Sequence, residues 1–147
     1  MRVYLDNCCF NRPFDEQTQI RIALETQAVL FIQTQIVQNM IELIWSYVLT
    51  YESGKNPYSN KKESIRNFAR KYAVSVVLEN DRIIEDANRY QKDNVNKLDA
   101  LHLACAKDAA ADFFITTDDR LLKYRSEEVK IISPIDFVLA WTKGELR

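Results

Sequence analysis

The stretch from Lys97 to Leu121, KLDALHLACAKDAAADFFITTDDRL, constrains the fold more than any other part of the chain. It reads as helix, turn, buried strand, turn, helix, with one carboxylate at the start of the first helix, Asp99, and another at the end of the strand, Asp118. The rest of the chain repeats this alternation. Val3-Tyr4-Leu5 is a short apolar run closed by Asp6 and Asn7, which reads as a strand and then a loop. From about Asp15 to Gln35, apolar residues return at helical spacing, with Asp15 and Glu16 complementing the positive end of a long helix. A second strand is expected near Ile41–Trp45, followed by a short helix that carries Tyr51 and Glu52 and breaks at Gly54.

The second half continues in the same manner. Asn60-Lys61-Lys62-Glu63 has the form of a capping box, with a helix running on to about Tyr72. The β-branched run from Val74 to Leu78 predicts a third strand covered on both faces. A helix over 81–91 follows, with Ile83, Ile84, Ala87 and Tyr90 as its apolar side. Asn96 caps a helix ending near Ala111, and Phe113–Thr116 and Val129–Ile132 are the fourth and fifth strands, with a short helix at 119–124 between them. Ser133-Pro134-Ile135-Asp136 opens the last helix, with a Ser cap and Pro in the first turn, and that helix ends near Lys143-Gly144. Strands alternating with helices imply an α/β fold with a mainly parallel sheet and right-handed crossovers.

Composition narrows the function. The chain has 147 residues and is 47% hydrophobic, enough for one domain over 1–147 with its own core. Its two glycines, Gly54 and Gly144, cannot build a glycine-rich phosphate loop, which excludes dinucleotide-binding and P-loop readings. A net charge of −1 gives no global basic field, so contact with nucleic acid would need local positive charge. Three cysteines, Cys8, Cys9 and Cys105, form no paired pattern, which fits a reduced, cytoplasmic chain. No leader is expected ahead of the first strand, and no run is long and apolar enough to span a membrane.

Open parallel sheets gather functional residues at the carboxyl ends of their strands. Asp6 and Asp118 both occupy such ends, Glu52 follows the middle apolar run, and Asp99 opens a helix. Taken singly, each has a structural explanation as a turn, a cap or a solvated residue. Brought into one cleft, they would repel one another unless a cation joined them. A set of oxygen ligands without a thiolate or histidine cluster suits Mg²⁺ or Mn²⁺ rather than Zn²⁺. Such an ion can activate water and stabilise a leaving oxygen in phosphodiester cleavage. Asp6, Asp99 and Asp118 are assigned as ligands. Glu52 holds a second metal or positions the water, and Asn7, Thr116 and Thr117 are hydrogen-bonding support.

The segments YLDNCCFNRPFD, SYVLTYE, LDALHLACA and ITTDDRLLK together resemble the PIN-domain family of metal-dependent ribonucleases. The resemblance implies a three-layer α/β/α fold with a five-stranded sheet in the order 3-2-1-4-5. It also implies acids at the positions of Asp6, Glu52, Asp99 and Asp118. Small members of this family are often VapC-like toxins of toxin–antitoxin pairs. RNA, a cognate antitoxin and a second copy of the chain are therefore the implied partners. Asn7 departs from the Ser or Thr that often follows the first acid.

Further residues complete the reading. The single histidine, His102, follows Asp99 by one helical turn and is read as a packed residue in preference to a general base. Lys62, Arg66 and Arg70 recur every four residues, with Lys61 and Lys71 beside them, and could steer an RNA backbone or form a solvated face. Arg12, Arg120 and Lys123 follow the cleft acids and are the preferred phosphate contacts. A haloacid-dehalogenase-type phosphatase needs Asp where Cys8 stands. A receiver domain needs an acceptor Asp after the third strand, where Glu79 follows Leu78. A non-catalytic RNA- or protein-binding scaffold is the remaining alternative.

Overall fold

The computed structural model describes residues 1–146. Five strands form one parallel sheet: β1 (Arg2–Leu5), β2 (Glu42–Ser46), β3 (Ala73–Val77), β4 (Phe113–Ile115) and β5 (Lys130–Ile132). Their order is β3-β2-β1-β4-β5. The connecting helices are α1 (Asn7–Asn11), α2 (Ile20–Val37), α3 (Tyr47–Gly54), α4 (Ser59–Tyr72), α5 (Asp81–Lys92), α6 (Lys97–Asp108) and α7 (Asp119–Lys123), with α8 (Pro134–Thr142) after β5. This is the three-layer α/β/α architecture and strand order that the sequence resemblance implied, with strands covered by the helices that connect them.

The central strands carry the core. Val3, Tyr4, Leu5, Phe114 and Ile115 are fully buried, and the Tyr4 ring stacks on Phe114 with centroids 5.2 Å apart. Phe137 from α8 meets Phe113 edge-on at 5.4 Å. Fully burying one such ring stabilises the fold by about 1.5–3 kcal/mol. No helix among the described residues is long and apolar enough to cross a membrane.

Local chemistry sets several element boundaries. Asn96 accepts the N–H of Asp99 at 2.9 Å, and Ser133 accepts that of Asp136 at 3.1 Å, both as expected of cap residues. Ala110 adopts a left-handed φ of 55°, and the Ala111 N–H returns to the Ala106 carbonyl at 2.9 Å. That turn stops α6 at Asp108, short of the expected Ala111.

Three other expectations are corrected. The long helix starts at Ile20 and not near Asp15, because Arg12-Pro13-Phe14 winds into a 3₁₀ turn. Asp15 closes that turn, its N–H on the Arg12 carbonyl and its carboxylate 2.9 Å from the Arg12 guanidinium, so Asp15 and Glu16 lie outside α2. The proposed capping box lies inside α4, since Asn56 accepts the Tyr58 N–H at 3.0 Å and turns the chain into the helix earlier. The β3 strand is an edge strand open on one face, with Val74 and Val76 55% and 57% exposed.

Candidate metal centre

Strand order reverses between β1 and β4, so a crevice opens beyond their carboxyl ends. Leu5 pairs with Ile115, which sets the next residues, Asp6 and Thr116, side by side. Asp6 is 6% exposed. Its Oδ1 accepts the Asn7 N–H at 2.8 Å, and its Oδ2 accepts the Thr116 hydroxyl at 2.8 Å. The same Thr116 oxygen accepts the N–H of Asp118 at 3.1 Å, so one buried hydroxyl ties the two acid-bearing segments together. Asp118 also caps α7 by accepting the Arg120 N–H at 2.9 Å.

The other two acids come from helices. Asp99 sits in the first turn of α6, where the Asn96 side-chain amide donates to its Oδ2 at 2.8 Å. Glu52 projects from α3, and its Oε1 lies 2.9 Å from Nε2 of His102. Among the described residues, Asp6, Glu52 and His102 each offer a donor atom within 4.8 Å of the others, and Asp99 and Asp118 stand outside that group.

The charges still act across the crevice. Burial pushes the Asp99 carboxyl up to about 6, and the charges of Asp6 and Asp118 add to the rise. Burial likewise raises Asp6; the charge of His102 and the Thr116 hydrogen bond oppose the rise, and Glu52 reinforces it. Among the described residues no lysine or arginine forms a salt bridge with Asp6, Glu52, Asp99 or Asp118; only His102 does.

The donor set fits a hard divalent cation. The Asn7 side-chain oxygen, next in sequence to Asp6, is a buried acceptor without a hydrogen-bond partner, and the nearby carboxylates are the oxygen donors such an ion prefers. Of the four acids, Asp6 and Glu52 bring donor atoms within 4.8 Å of each other, and Asp99 is coupled to Asp6 and Asp118 through charge. The three cysteines are free thiols. Cys8 accepts the Thr117 N–H at 3.4 Å, and Cys9 donates to the Ile115 carbonyl at 3.3 Å, so both pack against β4 and its following loop.

The chain is matched over residues 3–127 by the model of the PIN domain. It belongs to the PIN domain family. PIN domains are generally nucleases. No curated protein matches this PIN domain. Among solved structures it is similar to a chain of VapBC2 from Rickettsia felis, crystallised with a DNA fragment from their promoter. The TM-score is 0.58 at 10% identity, over 90% of this chain and 98% of that one, so the likeness is one of fold.

The remaining candidates distribute unevenly around the PIN domain's crevice. Arg12 is occupied within the fold: its guanidinium reaches Asp15 at 2.9 Å, the Thr117 hydroxyl at 2.9 Å and the buried Glu25 at 3.3 Å. Arg66 and Arg70 line a recess with Trp45 and Val76, and Lys62, on the same helix, is half-buried. Arg120 and Lys123 line a groove of about 270 Å³ that also contains Asn96 and Asp99. Lys55 and Lys61, with Phe14 and Tyr58, line another groove that contains Asn7 and Glu52. Four-residue spacing marked one face of α4 but carried no information on whether that face looks into the crevice.

Sequence reasoning also missed Tyr4 and Ser46 and left His102 without partners. Tyr4 Oη lies 2.6 Å from His102 Nδ1 and 2.7 Å from Ser46 Oγ. Burial holds the Tyr4 phenol well above its ordinary value, with the Cys105 charge acting in the same direction. The available signal was a hydroxyl at inward positions of two buried strands, because a buried hydroxyl requires a partner.

Proposed function

We propose that this PIN domain is an endoribonuclease that uses Mg²⁺ or Mn²⁺, and that it is the toxin of a toxin–antitoxin pair. The observation that supports the enzymatic reading is the buried Asp6 carboxylate near Glu52 and charge-coupled to Asp99. Among the described residues no lysine or arginine is in salt-bridge contact with these acids or Asp118, and only His102 lies beside Asp6 and Glu52. Asp6, Glu52, Asp99 and Asp118 hold the ion, and Thr116 orients Asp6 and the Asp118 segment. When bound, the ion brings the ionisation of water toward neutral pH and stabilises the leaving oxygen.

The two grooves beside the acids supply what a polyanion needs. Lys55 and Lys61 on one side, and Arg120 and Lys123 on the other, receive backbone phosphates. The exposed rings of Phe14 and Tyr58 in the first groove offer stacking faces for unpaired bases. Family membership and a fold shared with VapBC2 support a cognate antitoxin as partner; a cytoplasmic homodimer is part of the proposal.

Cleavage of labelled single-stranded RNA by the purified chain tests the reading. Cutting with Mg²⁺ or Mn²⁺, arrest by a chelator, and loss in Asp6→Asn are expected. Equal cutting by the variant would remove the assignment. Absence of Mn²⁺ binding by calorimetry would favour the non-catalytic scaffold.

A further inference from the structure

We propose that His102 is a positioning residue for Glu52: buried Tyr4 and the Glu52 carboxylate together place a hydrogen on Nε2, and neither ring nitrogen is left free to bind a cation. The inference deepens the nuclease reading, on which the role of Glu52 rests, by assigning the neighbour that aims it.

The argument is an accounting of hydrogens along one chain of contacts. The Leu49 N–H, which can only donate, lies 3.1 Å from Ser46 Oγ. Ser46 Oγ lies 2.7 Å from Tyr4 Oη, and Tyr4 Oη lies 2.6 Å from His102 Nδ1. His102 Nε2 lies 2.9 Å from Glu52 Oε1, which as a carboxylate oxygen can only accept. With a neutral ring, Nε2 donates to Glu52, Nδ1 accepts from Tyr4, and the Tyr4 oxygen accepts from Ser46. With a charged ring, Nδ1 donates to Tyr4, the Tyr4 hydroxyl donates to Ser46, and Nε2 still donates to Glu52. A hydrogen on Nδ1 alone would set the Nε2 lone pair against the carboxylate. Every satisfied arrangement therefore carries a hydrogen on Nε2.

Burial enforces this geometry. Tyr4 and Ser46 are fully buried and His102 is 1% exposed, so water does not replace any of these partners cheaply. The Tyr4 ring is stacked on Phe114 and meets the imidazole edge-on, which holds both rings. The group Asp6–Glu52–His102 then has two oxygen donors toward a cation, while its nitrogen donates to Glu52 and lies 3.9 Å from Asp6 Oδ1. The imidazole is the supporting partner that steers a ligating carboxylate.

The chain has a single histidine, so its ring is assigned without ambiguity by long-range ¹H–¹⁵N correlation spectra of the metal-free protein. A hydrogen on Nε2 is expected, and an Nε2 without one overturns the proposal. Mn²⁺ calorimetry supplies the second measurement. His102→Ala should weaken Mn²⁺ binding about tenfold, while His102→Gln, whose amide can still donate to Glu52, should stay within about threefold of wild type. A Gln variant as weak as the Ala variant would make His102 a ligand and overturn the proposal. If the wild-type chain binds no Mn²⁺, the nuclease reading falls, and the ring spectra still decide the role of His102.

Discussion

Acidic side chains meet opposite electrostatics in two regions of this molecule. Between α5, α6 and the segment before β5, Asp86 and Glu128 are laced to Arg89 and Lys107 by contacts of 2.7–3.0 Å. Hydrogen bonds from Lys107 hold the Glu128 carboxyl down at about 2, with Arg89 and Tyr90 adding to the effect. At the carboxyl edge of the sheet the Asp99 carboxyl rises to about 6, and Asp6 moves in the same direction. One group of acids is neutralised by the chain's own cations. The other, among the described residues, is in salt-bridge contact with no lysine or arginine and meets only His102. This contrast is what the proposed metal site rests on: acids gathered at a strand-end crevice with raised carboxyl values are candidates for a functional site.

Removing a member of the crevice group should have the largest effect on activity and little on the fold. Asp6→Asn should lower metal-dependent RNA cleavage by at least about a hundredfold, more than the loss of a supporting contact costs. The apo protein should keep its melting temperature or gain slightly, because a buried, repelled charge has gone. A Tm that rises with Mn²⁺ in wild type and not in the variant would sharpen the contrast. An unchanged cleavage rate would break it.

The reverse holds for a buried acid that is already paired. Glu25 is 2% exposed and is held by Arg12 at 3.3 Å and Arg21 at 3.4 Å. Arg12→Ala strands much of that charge and frees Thr117 and Asp15 from the same guanidinium. The expected loss is about 3 kcal/mol, at the low end for a broken buried pair because Arg21 remains. Thermal denaturation should show it as a fall of about 6–12 °C. A fall under about 2 °C would mean that Arg21 alone suffices.

The third prediction turns on pH. The folded-state value for Asp99, about 6, lies above the about 3.9 of an unfolded aspartate, so the folded state takes up the proton first. Stability of the metal-free chain should therefore rise as pH falls from about 7 toward about 4. Asp99 is half-buried, so solvent screening limits its share to about 1 kcal/mol. Asp99→Asn should flatten that rise in Tm measured against pH in chelator, and saturating Mn²⁺ should flatten it in wild type. A rise that persists unchanged in Asp99→Asn would place its origin elsewhere.

Features set by neighbours in sequence were legible, and features set by distant partners were not. The strand-helix alternation carried the architecture, and Asn96 and Ser133 announced their helices because a cap acts within three residues. Asp6 and Asp118 stood out because they follow apolar strands. The Tyr4–His102 contact spans 98 residues, and nothing local to either marks it. The same is true of Arg12, whose partners Glu25 and Thr117 come from α2 and the loop after β4. Glu25 did leave a trace, as a charge in register with Ala28, Val29 and Ile32 on the buried side of α2. The β-branched run of β3 looked central because β propensity does not report which strand lies at the edge.

The smallest effect belongs to the neutralised group. Glu128 has a folded-state value of about 2, below the about 4.3 of an unfolded glutamate, so its stabilisation is full above about 4.5 and disappears as pH falls toward 2. The network lies at the surface, and Glu128→Gln should cost about 0.5–1 kcal/mol near neutral pH. That corresponds to about 1–4 °C in Tm, shrinking with added salt and vanishing near pH 2. Glu128 and Asp99 thus impose opposite slopes on stability in acid, and the two variants should straighten opposite limbs of the same curve. Cleavage by Glu128→Gln should match wild type, since its partners Arg89, Tyr90 and Lys107 lie outside the crevice acids. A Glu128→Gln variant that lost activity while keeping its Tm would mean that the two regions are coupled, and the contrast between them would no longer separate stability from chemistry.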